Sequence, residues 1–159
     1  MDALIGTIVG GTLAILGGII AKSFEEWRAR KSLRAAFRAE IGGIVQLMEV
    51  RGHQKLFEDT LRHWKQRGQG YPIVLGSHAN PGDPVFSRNS DKIGLLGRDV
   101  AGEVVRFYLL ISNIRDDIRG LALGELNSAS HEARIRLIEE DLKLWADAKE
   151  IAARLARVL

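Results

Sequence analysis

Four histidines are the first residues of this sequence that could bind a metal ion or move a proton near neutral pH. They are His53, His63, His78 and His131. No two of them stand four residues apart, and the HExxH pattern that places two imidazoles on one helix face is absent. The spacing therefore predicts surface or interface histidines and no metal site.

Two carboxylate runs are the other groups that could carry acid–base chemistry. Glu139-Glu140-Asp141 is flanked by apolar residues, which is typical of a solvated helix face. Asp116-Asp117 is flanked by two arginines, which predicts local ion pairing along a helix. Neither run has the surroundings of a general acid and base.

No other set of residues has the pattern of an active site. The chain has no cysteine, which excludes thiol nucleophiles, thiolate zinc sites and disulfides. It contains no GxxxxGK[ST] phosphate loop, and no Ser, His and acid set suggests a nucleophile. The sequence therefore predicts a protein that is not an enzyme and that has no cofactor.

The elements around these residues begin with a charge-free run over residues 3–21, ALIGTIVGGTLAILGGIIA. As a helix it measures about 28 Å, close to the ~30 Å of a bilayer core. A signal peptide would carry a positive residue before the run and a small-x-small cleavage site after it, and both are missing. Basic residues follow the run instead, starting at Lys22. Residues 1–21 are predicted to cross a bacterial inner membrane once, with the N-terminus outside and the C-terminal part cytoplasmic.

Small residues recur every four positions in this run and form one stripe on a helix, which lets a second helix approach closely in lipid. They are Gly6, Gly10, Ala14 and Gly18. Because the chain has a single predicted span, the stripe predicts a homo-oligomer. In a pore made of such spans, Thr7 and Thr12 are the candidate lining residues, since theirs are the only side-chain hydroxyls.

Three segments follow the predicted span, and the first and third are predicted to be mainly helical. Residues 22–70 form a juxtamembrane basic segment with a net charge of +5, residues 71–97 a loop-rich connector with a short helix, and residues 98–159 a helical hairpin. The predicted fold class is therefore all-α: one transmembrane helix and a cytosolic helical bundle. The basic segment favours a membrane surface over nucleic acid, because no nucleic-acid-binding motif accompanies it.

Local patterns refine these segments. Apolar spacing predicts that Phe24 and Trp27 share one helix face with Phe37, with Trp27 in the core or at a subunit interface. Asn89 or Ser90 is predicted to open the short helix of the connector. Residues 99–123 and a helix capped by Ser128 or Ser130 are predicted to form the hairpin.

One segment, PVFSRNSDKIGLLGRDVAGEVVRFY at residues 84–108, resembles a stretch in short bacterial proteins that often carry an N-terminal membrane helix. The matching positions are Val85-Phe86, Asn89, Ile93-Gly94-Leu95-Leu96, Val104 or Val105, and Phe107-Tyr108. Relatives often have proline where this chain has Gly97-Arg98. Some of them look like phage-defence membrane effectors, and the resemblance implies that role as an expectation.

Two functions are consistent with these features. The first is an oligomeric membrane effector, whose clustered spans open an ion-conducting pore and depolarise the cell in a stress or anti-phage response. A regulatory protein or ligand would act on its cytosolic domain. The second is a membrane-tethered adaptor, whose helical domain binds a protein partner while the span only localises it.

Overall fold

The computed structural model describes the backbone of residues 2–67, 82–125 and 128–159, and the side chains of those residues from Leu16 onward. Its helices are α1 (Asp2–Val50), α2 (His53–Arg67), α3 (Pro84–Asn89), a 3₁₀ helix (Ser90–Leu96), α4 (Arg98–Leu123) and α5 (His131–Val158). The described residues contain no strand, so the all-α prediction is confirmed for them.

The first helix is unusually long, because nothing in its sequence ends it early. It spans 49 residues, or roughly 73 Å at 1.5 Å per residue. Gly42 and Gly43 lie within it without a break. The helix ends before Gly52, whose φ of 65° is a left-handed conformation that glycine adopts without strain.

The main core lies between the C-terminal half of α1 and the pair α4–α5. Phe37, Phe107 and Ile151 are buried there, one from each helix. Apolar residues spaced three or four apart supply one buried stripe per helix, and the stripes meet. α4 and α5 pack as the predicted hairpin: Glu103 near the start of α4 pairs with Arg154 near the end of α5.

Both ends of the hairpin loop have a local cause. α4 ends at Gly124, whose backbone is left-handed with φ 73° and whose N–H bonds back to Leu121. α5 begins after Ser130, whose hydroxyl accepts a hydrogen bond from the Ala133 N–H at 3.2 Å. The predicted serine cap is confirmed, with Ser130 as the capping residue.

α2 closes a second, smaller cluster against α4 and α5. Its buried members are Phe57, Trp64 and Ile138. Gln54 ties α2 to α5, because its side-chain oxygen accepts from Trp145 Nε1 at 2.9 Å and from Lys149 Nζ at 2.8 Å. The segment predicted as residues 22–70 therefore contains parts of two helices, α1 and α2. In the smaller cluster, α2 is the one that packs against the hairpin.

The short helix of the connector begins where it was predicted, as the 3₁₀ helix Ser90–Leu96 with Asn89 at its N-cap position. Asn89 makes no side-chain capping hydrogen bond; its amide donates to the Val85 carbonyl of the preceding α3 at 2.8 Å. A Cβ added at Gly94 would meet nothing within 4 Å. Residues 71–81 of the connector lie outside the described residues.

The predicted span falls mostly on residues whose side chains are not described. Of the small-residue stripe only Gly18 is described; Gly6, Gly10 and Ala14 lie outside, as do the side chains of Thr7 and Thr12. Within the part of the chain that is described, no helix combines the length and hydropathy that a membrane crossing needs.

Candidate functional site

The most unusual surface is the N-terminal half of α1, which has no helical neighbour among the described residues. Every residue from 16 to 32 is exposed, and Leu33 is the first buried one. Leu16, Ile19 and Ile20 are 49%, 57% and 69% exposed. A row of large apolar side chains along a projecting helix marks an interaction surface with lipid or protein.

Further along α1, each of two exposed aromatic rings has a basic side chain in cation–π contact with it. Phe24 and Trp27 stack with ring centroids 5.8 Å apart. The Arg28 guanidinium lies 5.3 Å from the Phe24 centroid, and the Lys31 ammonium 5.4 Å from that of Trp27. We call these four residues the aromatic–cation patch. The prediction that Phe24 and Trp27 share the core-facing side with Phe37 is wrong, because both rings are about half exposed.

The segment that resembles the bacterial proteins converges on a carboxylate that the sequence did not reveal. Glu40 of α1 accepts hydrogen bonds from the backbone N–H groups of Val85 at 2.7 Å and Phe86 at 3.1 Å, both in the first turn of α3. It also accepts a hydrogen bond from the Tyr108 hydroxyl. Phe86 stacks on Tyr108 with centroids 4.2 Å apart.

These contacts give Glu40 a structural role. Burial, and then the hydrogen bond to Glu40, raise the pKa of Tyr108 well above its ordinary value, so its hydroxyl remains a donor. With three donors on one carboxylate, Glu40 clamps α1, α3 and α4 together. Asp83, just before α3, adds a second tie through both carboxylate oxygens to Arg115 of α4, at 2.7 and 2.8 Å.

A second polar group lies in the smaller cluster, at Asp141 of α5. Asp141 is 1% exposed, and neither carboxylate oxygen accepts a hydrogen bond from a donor in the described ranges. Its neighbour is the Asp117 carboxyl of α4, and two carboxyl groups in contact must share a proton. Burial and then the charge of Asp117 raise the pKa of Asp141 to about 8. On α2, Thr60 is also fully buried, and its hydroxyl has no partner among the described residues.

Both carboxylate predictions need correction at these positions. Asp141 does not lie on a solvated face, because its helix turns it inward while Glu140 is exposed. Asp117 does not form a local ion pair, since Arg115 turns away to Asp83. The signal in the sequence was available: Asp141 follows Ile138 at the three-residue spacing of the buried stripe.

A groove runs between the C-terminal parts of α1 and α5, with a volume of about 370 Å³. The groove exists because its lining residues are small: Gly42 of α1 lies on one side and alanines of α5 on the other. Arg38, Glu49 and Lys149 also line it. An apolar floor with charges at its edges can receive side chains from a partner helix.

The predicted motif residues are brought together only in part. Phe107 and Tyr108 are buried, and Ile93 and Leu95 pack against the same core. Asn89 makes only the local hydrogen bond to Val85 described above, and Gly94 is exposed. The histidines form no metal cluster among the described residues; His131 Nε2 lies 3.2 Å from the Trp64 carbonyl oxygen, and His78 is outside the described ranges.

The described polar groups therefore hold helices together, and the surfaces open to a partner are the projecting half of α1 and the groove. In comparisons with protein-family models, curated proteins and solved structures, none matches this chain.

Proposed function

We propose that this protein is a single-pass membrane protein that works as a homo-oligomer, with the N-terminal part of α1 in lipid and the helical domain in the cytosol. The observation that carries the proposal is the projecting half of α1. Its described apolar residues are uncovered, and they continue the charge-free run that begins at Ala3. Hydrocarbon would satisfy that surface, with the basic residues after Ala21 favouring the cytosolic side.

The more specific proposal is an effector that opens an ion-leak path when its spans cluster. Its support is the unbroken helix from Asp2 to Val50, which makes the anchor and the domain one rigid element. A rotation of the domain would therefore turn the span, as gating requires, whereas tethering alone would be served by a flexible linker. In the proposed pore the stripe of Gly6, Gly10, Ala14 and Gly18 packs between copies. Thr7 and Thr12 line an otherwise apolar path that opens by wetting.

A test of the effector is induced expression with membrane potential and growth as readouts. We expect the parent protein to depolarise cells and Gly10→Ile to abolish this, because the branched side chain prevents close helix approach. Gly102→Ile is the matched control. Gly102 is likewise a helical glycine, but it lies on α4, where it is exposed and an added Cβ would meet nothing within 4 Å. Equal effects of parent and Gly10→Ile would reject the pore.

The groove favours a second candidate, a membrane-tethered adaptor. Its volume of about 370 Å³ suits a few side chains of a partner helix, and Lys149 and Glu49 at its edges would orient that helix by charge. Exchange of residues 3–21 for an unrelated span separates the two candidates. An adaptor keeps its cellular effect after the exchange and loses it with Ala153→Trp, which fills the groove from an exposed position. A pore loses its cellular effect after the exchange of the span and keeps it with Ala153→Trp.

A further inference from the structure

The aromatic–cation patch lies where the helix leaves the apolar run and has not yet reached the domain. Phe24 and Trp27 lie about 4.5 and 9 Å beyond Ala21 along the helix axis, and Leu33 about 18 Å beyond it. The polar headgroup layer of a bilayer is about 5–8 Å thick on each side. With the apolar run in hydrocarbon, Phe24 falls within that layer and Trp27 at its outer edge.

Most of the patch also faces away from the side of α1 that enters the domain. Around the helix, Phe24, Arg28 and Lys31 lie about 140°, 180° and 120° from Phe37, and Trp27 lies about 80° from it. The helices that bury Phe37 therefore do not extend over the patch, and all four of its residues are exposed. Among the described residues nothing covers the patch, so it is open to an occupant from outside the chain.

The aromatic side of this part of α1 carries no acidic residue, whereas the opposite side carries both Lys22 and Arg30, about 160° and 120° from Phe24, and the two glutamates. Arg28 and Lys31 lie within about 40° of Phe24 around the axis, whereas Glu25 and Glu26 lie about 100° and 160° away from it. The aromatic side is thus positive, and the acidic residues point elsewhere. Aromatic rings with cations above them form an amphipathic surface that suits the boundary between acyl chains and phosphates.

The geometry points to a binding site for an anionic phospholipid headgroup, made by Phe24, Trp27, Arg28 and Lys31. The inference rests on the proposed membrane anchor and adds the chemistry of the lipid that it selects. The rings pack against the glycerol and upper acyl region, and the two cations pair with the phosphate and the headgroup charge. Phosphatidylglycerol is bound in preference to phosphatidylcholine, which has no net charge.

The experiment uses the full chain reconstituted in vesicles and compares spin-labelled phosphatidylglycerol with spin-labelled phosphatidylcholine by their association with the protein. We expect a several-fold preference for phosphatidylglycerol in the parent and a fall of that ratio to about one in Arg28→Gln/Lys31→Gln. Lys55→Gln/Arg62→Gln is the control, since it removes the same charge from exposed positions of α2 and leaves the preference unchanged.

A second readout locates the ring. The difference in emission between the parent and Trp27→Phe isolates Trp27, because Trp64 and Trp145 are buried at 6% and 4% exposure. We expect a headgroup-attached quencher to quench this component. Equal association of the two lipids, or a Trp27 that is shielded by a second copy and not quenched, would overturn the lipid site while leaving the anchor standing. A protein that fails to float with any vesicle would overturn both.

Discussion

At the scale of single residues, the described carboxylates divide by what surrounds them. Glu40 accepts hydrogen bonds from three donors, whereas burial and then the neighbouring Asp117 raise the pKa of Asp141 to about 8. The surroundings of Glu40 cannot be inferred from adjacent residues, because its partners lie 45 to 68 residues away in the chain. For Asp141 the three-residue spacing from Ile138 was available. The sequence patterns assigned residues 139–141 to a solvated face and residues 116–117 to local ion pairs, and they passed over Glu40.

Asp141 makes stability depend on pH. Its pKa is about 8 in the folded chain and near the ordinary 3.8 when unfolded. Between these values the folded state binds the extra proton, so its stability is highest at low pH and falls as pH rises toward 8, by on the order of 1 kcal/mol per pH unit. Asp141→Asn, whose amide can donate to Asp117 without titrating, should remove this slope between pH 5 and pH 8 in urea unfolding. A slope equal to that of the parent would contradict the buried protonated pair.

The hydrogen bonds by which Glu40 clamps α1, α3 and α4 together can be weakened by removing a single oxygen atom. Tyr108→Phe removes the hydroxyl donor but keeps the ring that stacks on Phe86, so we expect a loss of about 1–3 kcal/mol in the free energy of unfolding. Glu103→Gln is the comparison, because its pair with Arg154 is partly solvent-exposed and should be worth less than about 1 kcal/mol. Equal effects of the two changes in denaturant titrations would argue against the clamp.

At the scale of elements, periodicity and capping were enough to predict the hairpin. The predicted helix over residues 99–123 matches α4 (Arg98–Leu123), and Ser130 caps α5 as expected. The sequence could not indicate that α1 continues through Gly42-Gly43 and ends before Gly52. Glycine lowers helix propensity by a similar amount at all three positions, and packing decides which one ends the helix.

Two glycines of this stretch should respond oppositely to alanine. Gly43 is helical with open space around an added Cβ, so Gly43→Ala should stabilise the fold by about 0.5–1 kcal/mol. Gly52 has a positive φ, so Gly52→Ala should destabilise it by about 1 kcal/mol or more despite equally open space. Thermal unfolding of the pair measures both signs. A stabilising Gly52→Ala would mean that α1 and α2 are not separated by a left-handed turn.

At the scale of the whole molecule, the two halves of the continuous helix α1 have different surroundings. Its C-terminal half is buried among the other helices, and its N-terminal half presents apolar side chains with no described neighbour. Hydropathy indicated the apolar N-terminal half of α1 from the sequence. The structure adds that burial in the domain starts at Leu33. The apolar spacing in the sequence did not separate the aromatic–cation patch from the core face, because it placed Phe24 and Trp27 on one face with Phe37.

The account therefore depends on lipid around the N-terminal half of α1, and flotation of the intact chain from detergent-free lysate tests it most directly. We predict that the protein floats with membranes after alkaline carbonate washing and is released only by detergent. Leu16→Arg should weaken this association because a charge in hydrocarbon costs about 2.5–3.5 kcal/mol. Leu109→Arg, at a 61% exposed position of α4, should not. Recovery of the uncut parent chain in the soluble fraction would contradict the account.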